Sequence, residues 1–107
     1  MHRQKAELSV SAVKLYNDFD ADEQNANQMY LNKVIEVSGT IDSIQEGSEN
    51  KPVVLLSTEG FGLIKASLES AEELQSISEG QGQILLRGEC IGLLLDVLMI
   101  NCIVVKE

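Results

Sequence analysis

The stretch Val34-Ile35-Glu36-Val37-Ser38-Gly39-Thr40-Ile41-Asp42-Ser43-Ile44 decides the fold. Its apolar and polar residues alternate with a period of two, which is typical of a β-strand with one buried face. Gly39 lies in the middle of the run, where a glycine predicts a bulge or a sharp bend. We therefore expect one long strand that serves both sides of a barrel.

The sequence after this strand predicts four more strands and one helix. The strands are expected over residues 53–57, 61–68, 83–91 and 97–105, with turns at 58–60 and 92–96. Apolar residues at near-helical spacing predict a helix over 69–78, closed by Gly80 and Gly82. Five strands with a helix between the third and fourth match the OB-fold barrel, so the predicted class is mainly β. A generic α+β sandwich is the alternative.

The sequence before the long strand has a helical period. Ala12, Leu15, Tyr16 and Phe19 form one apolar stripe, which Ser9 or Ser11 would cap; the later residues Ala26, Met29 and Tyr30 form a second. A cap at Asp20 or Asp22 predicts two helices, whereas the heptad spacing of Phe19 and Ala26 allows one continuous helix. We expect this segment, 9–31, to pack on the barrel within a single domain, 9–107, after a linker, 1–8.

Charge limits the classes of partner. The 107 residues carry a formal net charge of −9. An acidic surface repels phosphate backbones and anionic lipid, which disfavours nucleic acid as a partner.

The sequence has no run of about 20 apolar residues, so we expect no membrane contact by this segment. The localisation expected is cytoplasmic for a complete chain, and the cell envelope or periplasm, as a lipoprotein, if an N-terminal anchor has been removed.

The sequence contains no recognisable catalytic or metal-binding group. His2 is the only histidine, which excludes a histidine-based triad within one chain. Asp18, Asp20 and Asp22 have the spacing of a calcium loop, but Glu23 stands where that loop needs glycine. We predict no enzyme activity, no cofactor and no metal.

The two cysteines, Cys90 and Cys102, are expected on adjacent strands. A turn centred at Asp96 would bring them within disulfide distance, whereas a turn centred at Leu94 would not. The sequence therefore leaves open whether the two cysteines form a disulfide or remain buried free thiols.

Several short motifs resemble those of one family. They are Phe19-x-x-Asp22-Glu23-x-x-Ala26-x-x-x-Tyr30-x-x-Lys33-x-Ile35-x-Val37-x-Gly39, Gly88-x-Cys90-x-Gly92 and Asp96-Val97-x-x-x-x-Cys102. This pattern resembles the bacterial tRNA_anti-like proteins, small OB-fold proteins of uncharacterised function, some of which are described as nucleic-acid-binding lipoproteins. Asp22 stands where the family has asparagine, and Asn32 where it has glycine. The resemblance implies the OB fold and brings no catalytic residues.

These observations predict a non-catalytic OB-fold binding or interaction module, with a protein or a small uncharged ligand as partner. By analogy with the fold alone, the ligand site would lie on the second and third barrel strands, around Lys51, Phe61 and Lys65. The run Leu93-Leu94-Leu95, in the loop between strands four and five, is a candidate contact for a protein or for oligomerisation. Single-stranded nucleic-acid binding is the alternative function.

Overall fold

The computed structural model describes residues 6–78 and 80–105. The elements are, in chain order, β1 (Leu8–Ser11), α1 (Ala12–Ala21), α2 (Glu23–Tyr30), β2 (Val34–Gln45), a 3₁₀ turn (Ser48–Asn50), β3 (Val53–Leu56), β4 (Ile64–Leu68), a 3₁₀ helix (Ala71–Ser76), β5 (Gln83–Leu94) and β6 (Asp96–Val104).

Strand β2 closes the barrel. Its first half pairs with β5, and its second half, from Ile41 to Gln45, pairs with β3. The remaining contacts run from β3 to β4, β6 and back to β5, with only β4 and β6 parallel. The five-stranded OB barrel is therefore confirmed. A bulge follows Ile41, close to Gly39. A Cβ on Gly39 would lie 3.0 Å from the Cβ of Ala12, so the glycine also allows α1 to approach the barrel.

A short strand precedes the helices, where the sequence predicts the end of a linker and the start of a helix. Residues Leu8–Ser11 pair in parallel with Ile35–Ser38 of β2. Only Val10 of this strand is buried, so burial does not alternate along its four residues as it does in a strand with one buried face. Ser11 then caps α1, because its hydroxyl accepts a hydrogen bond from the Lys14 amide at 3.1 Å.

The helical segment forms two helices that pack against the barrel core. The chain breaks at Asp22, which has extended backbone angles and caps α2 by accepting a hydrogen bond from the Asn25 amide. Leu15, Phe19 and Tyr30 are at most 2% exposed, as their spacing predicts. The Phe19 and Tyr30 rings contact each other with centroids 5.9 Å apart.

The helix predicted after β4 is present in a shorter form. It is a 3₁₀ helix of six residues, Ala71–Ser76, instead of a longer helix over 69–78. It cannot begin earlier because the Glu69 amide donates a hydrogen bond to the Cys102 carbonyl, which ties that residue to β6. Leu74 packs against the core, and the Glu73 carboxylate accepts a hydrogen bond from the Val104 amide at 2.8 Å.

Candidate functional site

The three residues predicted by fold analogy do not form one compact group. Lys65 projects outward from β4, and Phe61 lies in the loop 57–63 that leads into this strand. Lys51 precedes β3, and because β3 and β4 are antiparallel it lies at the opposite end of the pair from Phe61. Its ammonium group is 3.9 Å from the Glu49 carboxylate.

Phe61 lies in a loop, where the sequence predicts the start of a strand. Strand β4 begins at Ile64, three residues after the predicted start at residue 61. The Leu63 amide donates a hydrogen bond to the Asp96 carboxylate at 2.9 Å, and the Val97 amide donates to the Leu63 carbonyl at 3.0 Å. These contacts join the loop 57–63 to the β5–β6 turn, instead of extending the ladder with β3.

Three large apolar side chains protrude where these two loops meet. Phe61 is fully exposed, at 107% relative accessibility, and Leu94 and Leu95 are 72% and 86% exposed. We call these three residues the apolar tip. Leu93 packs against the core, so two of the three consecutive leucines are exposed, where strand alternation predicts one.

Tyr16 of α1 packs against the backbone of the loop that carries Phe61. Its hydroxyl accepts a hydrogen bond from the Gly62 amide at 3.1 Å, and its side chain is buried. A Cβ on Gly62 would lie 2.7 Å from the Tyr16 ring, and one on Gly60 would overlap the same ring. The two glycines therefore lie flat against the tyrosine, which leaves Phe61 between them projecting outward. The sequence signals for this arrangement are the turn predicted at 58–60, whose Thr58 hydroxyl bonds to Gly60 and Gly62, and the Gly60-Phe61-Gly62 run itself.

The turn between β5 and β6 is centred on Leu95. Leu94 and Asp96 are paired in register, and Leu95 between them has φ of 64°. This left-handed conformation favours glycine or asparagine and costs most other residues about 1–2 kcal/mol. A leucine held there with its side chain exposed is unfavourable for folding on both counts. Such local strain is often associated with function.

The basic side chains do not form a continuous positive surface. Arg87 makes a two-donor ion pair with Glu36, at 2.8 and 3.0 Å, and Lys14 pairs with Asp18 at 2.9 Å. Within residues 6–78 and 80–105, only Lys33 and Lys65 have no carboxylate within salt-bridge distance.

Cys90 and Cys102 are buried free thiols in the structure. Cys90 is paired with Met99, whereas Cys102 is paired with Leu68 on β4 and lies against Gly88. Burial raises the pKa of both thiols, that of Cys102 to about 12. Thiols of this kind are poor nucleophiles at neutral pH. A disulfide between them stays one of the two alternatives that the sequence leaves open.

Two classes of site are not found in the part of the chain that the structure describes. No group of three or more histidine, cysteine, aspartate or glutamate side chains there could hold a metal ion. Among the described helices, none combines the length and apolar character needed to cross a membrane.

The fold is shared with proteins of known structure. A crystal structure of a "putative nucleic acid-binding lipoprotein" from Klebsiella pneumoniae superposes with a TM-score of 0.73 at 17% identity, over 96% of this chain and 100% of that one. A "putative aspartyl-tRNA synthetase" from Leishmania major matches with a TM-score of 0.51 at 8% identity, over 100% of this chain and 22% of that one. At these identities the likeness concerns the fold alone.

No curated protein matches the sequence. The family tRNA_anti-like does match, over residues 1–104. This range includes the helical segment, the barrel and both loops of the apolar tip, and it agrees with the motifs that link Phe19 to Gly39. The chain therefore belongs to the tRNA_anti-like family.

Proposed function

We propose that this chain is a non-catalytic OB-fold module that binds a partner protein through the apolar tip. The observation that carries the proposal is the 72–107% exposure of Phe61, Leu94 and Leu95. Clustered apolar side chains on a protein surface mark interaction sites more often than isolated ones do. Anchors on a backbone that is already ordered lose little conformational entropy on binding.

The backbone around the apolar tip is consistent with a binding site. Tyr16 and Asp96 fix the loop 57–63 from two sides, by hydrogen bonds to Gly62 and Leu63. Leu95 has a strained conformation that a glycine would relieve, yet the chain carries a large apolar side chain there. The tip thus combines exposed apolar side chains, a loop held by hydrogen bonds and a strained turn, which supports its role as a binding element.

A protein suits this tip better than a lipid surface does. The formal net charge of −9 opposes approach to anionic membranes. Glu59, two residues before Phe61, is exposed and adds negative charge beside the tip. We therefore expect a partner with an apolar pocket and a neutral or basic rim. Lys65 is proposed as a polar contact at the edge of this interface, and Lys51 stays a prediction from fold analogy.

Single-stranded nucleic-acid binding is the second candidate. The description of the Klebsiella pneumoniae protein favours it. OB folds that bind single strands combine a basic groove with aromatic stacking platforms. In this chain Phe61 is the one exposed aromatic ring among the described residues, and most of the described basic groups are paired with carboxylates.

The description of the Klebsiella pneumoniae protein as a lipoprotein supports a cell-envelope location for the module.

Site-specific photo-crosslinking in the source cells tests the proposal. A photoreactive phenylalanine analogue at position 61 should give a defined crosslinked product, whereas the same analogue at exposed position 72, on the 3₁₀ helix, should not. A product of twice the chain mass would identify a second copy as the partner.

Specificity is tested by adding Leu94→Ser and Leu95→Gly to the crosslinking chain. The glycine keeps the turn, because it adopts a positive φ without strain. The product should then be lost at unchanged expression. Equal crosslinking at positions 61 and 72, or a product insensitive to both substitutions, would overturn the proposal.

A further inference from the structure

A cavity of about 350 Å³ lies between the end of β2, the loop 46–52 that follows it, and the 3₁₀ helix Ala71–Ser76. Its size falls within the range of ligand-binding sites. Its described lining comes from the stretches 44–52 and 71–74, both of which the structure describes without a gap. The cavity lies beside the start of β3, whereas Phe61 of the apolar tip follows the end of that strand. We call this cavity the Ile44 slot.

The walls of the Ile44 slot are largely aliphatic. Ile44, Pro52, Ala71 and Leu74 all line it. Pro52 is buried and Leu74 packs against the core, so both belong to the fixed part of the fold. Ile44 projects from β2 and is 41% exposed. An apolar side chain that entered the slot would remove this exposed surface from water, which favours binding.

The backbone around the slot is ordered before any ligand binds. The Lys51 amide donates a hydrogen bond to the Ser48 carbonyl at 3.0 Å, and the Leu68 amide donates to the Pro52 carbonyl at 2.8 Å, which ties the end of the loop to β4. A Cβ on Gly47 would overlap the Lys51 carbonyl, so the loop folds closely back on itself. A site that is already formed loses less conformational entropy when it binds.

Carboxylates stand on both sides of the slot. Glu46 lines it from the loop, is exposed, and makes no hydrogen bond or ion pair with another described residue. Glu72, on the helix next to the lining residue Ala71, is also exposed. Glu49 of the same loop lies 3.9 Å from the Lys51 ammonium group. An apolar slot with carboxylates beside it is complementary to a ligand that is both aliphatic and cationic.

We infer that the Ile44 slot binds a basic segment of a partner protein, with one aliphatic side chain in the slot and a flanking lysine or arginine beside Glu46. The stems of lysine and arginine lie along apolar surface while their charged ends stay in water, which matches aliphatic walls with an exposed carboxylate. The formal net charge of −9 also attracts a basic partner. The slot shares no residue with the apolar tip, so this inference stands apart from the proposed protein contact.

The inference can be tested by NMR titration of the labelled full chain with short capped peptides. In the probe peptide, a central leucine has two lysines on each side. In one control peptide serine replaces the leucine, and in the other glutamates replace the lysines. The probe should shift the backbone signals of Gly47, Asn50 and Leu74 saturably, with a dissociation constant of about 1 mM or tighter. Each control peptide should bind at least fivefold more weakly.

Variants locate the binding. Glu46→Gln removes the carboxylate at nearly unchanged shape and should weaken the probe at least threefold. Glu23→Gln, at an exposed glutamate on α2, changes the net charge equally and should leave the affinity unchanged. Ile44→Thr keeps a β-branched side chain in the strand and should also weaken the probe at least threefold. Its matched control is Ile91→Thr, at a 38% exposed isoleucine on β5.

Three results would overturn the inference. The first is the absence of a saturable shift of the slot signals at about 10 mM probe, tenfold above a dissociation constant of about 1 mM. The second is equal binding of either control peptide, since the serine peptide would then bind by charge alone and the glutamate peptide without it. The third is equal binding of the probe by the slot variants and their matched controls, all with the spectrum of the folded chain.

Discussion

Tyr16 and Gly62 are 46 residues apart in sequence, and the Gly62 amide donates a hydrogen bond to the buried Tyr16 hydroxyl at 3.1 Å. This hydrogen bond, together with the packing of Gly60 and Gly62 on the Tyr16 ring, connects the first helix to the loop that presents Phe61. The helical segment is therefore part of the candidate binding surface, because it sets the conformation of the tip.

Replacing Tyr16 by phenylalanine tests this connection. The ring remains against Gly60 and Gly62, but the buried Gly62 amide loses its acceptor, which should cost about 1–3 kcal/mol of unfolding free energy. Urea denaturation measures this loss. Phe61→Ala is the contrasting variant, because its ring is fully exposed and its loss should change stability by less than about 0.5 kcal/mol. If both variants were equally stable, the hydrogen bond would not hold the loop.

Gly62→Ala should be poorly tolerated. The added methyl group would meet the Tyr16 ring and the Leu95 carbonyl, so the loop must move away from one of them. Overpacking of this kind typically costs about 1–3 kcal/mol. Gly82→Ala is the matched control, because a Cβ there would meet nothing within 4 Å. Thermal unfolding of the two variants should differ clearly, and similar midpoints would contradict the close approach of loop and ring.

The Asp18–Tyr30 hydrogen bond, at 2.6 Å, joins α1 to α2 and should make stability depend on pH. Burial acts to raise the pKa of Asp18, but the hydrogen bonds from Tyr30 and Lys14 lower it below its ordinary 3.8. Burial, and then the bond to Asp18, raise the pKa of Tyr30 above 10.0. The Asp18 contribution is therefore present above pH 3.8 and is lost as pH falls below it. The Tyr30 contribution is present below pH 10.0 and is lost as pH rises above it.

Tyr30→Phe removes the Tyr30 contribution and the part of the Asp18 contribution that depends on the Tyr30 hydroxyl, while the bond from Lys14 to Asp18 remains. Near pH 7 the variant should be about 1.5 kcal/mol less stable, as expected for a partly exposed hydrogen bond to a charged group. The difference from the unmodified chain should shrink below pH 3.8 and above pH 10.0 in urea titrations. Tyr16→Phe is a control, since its hydroxyl pairs with a backbone amide and its effect should not change on the acid side. A pH-independent difference for Tyr30→Phe would contradict the pairing with Asp18.

The buried thiols should resist modification in the folded protein. Burial raises the pKa of Cys102 to about 12 and also raises that of Cys90, which depletes the reactive thiolate form of both near pH 8. An aromatic disulfide reagent at pH 8 should react with both cysteines in denaturant and with neither, on the same timescale, in buffer. Rapid reaction of one thiol in buffer would show that its strand opens locally.

The sequence predicts the barrel well because its signals are local. The period-two run around Gly39 and the change to a helical period before it indicate β2 and the helical segment without any distant contact, although they leave open whether that segment is one helix or two. The apolar tip could not be predicted in the same way. Phe61 lies in what the sequence indicates as a strand. The distant residues Tyr16 and Asp96, together with the nearby Thr58 hydroxyl, hold it in a loop. Strand β1 is missed for a related reason, since its four residues pair with β2 and bury a single side chain.

The isolated chain should not bind single-stranded DNA or RNA at physiological salt. The only exposed aromatic ring in the described part of the chain is Phe61, and one stacked base contributes about 1–3 kcal/mol. Near the β3–β4 face, Lys65 has no described carboxylate partner, but Lys51 lies beside Glu49 and the net charge is −9. One ring and one free lysine do not offset that field. Fluorescence anisotropy with labelled mixed-sequence oligonucleotides should show no saturable binding tighter than about 10⁻⁶ M.

A charge variant shows whether the acidic surface is what prevents binding. Glu46 and Glu49 are exposed in the loop before β3, and changing both to lysine adds four units of positive charge next to Lys51. This variant should bind single strands weakly, with an affinity that falls as salt is raised, because each neutralised phosphate releases counterions. If the unmodified chain itself binds tighter than about 10⁻⁶ M, with a steep salt dependence, its charge is not limiting, and nucleic acid becomes the first candidate for its partner.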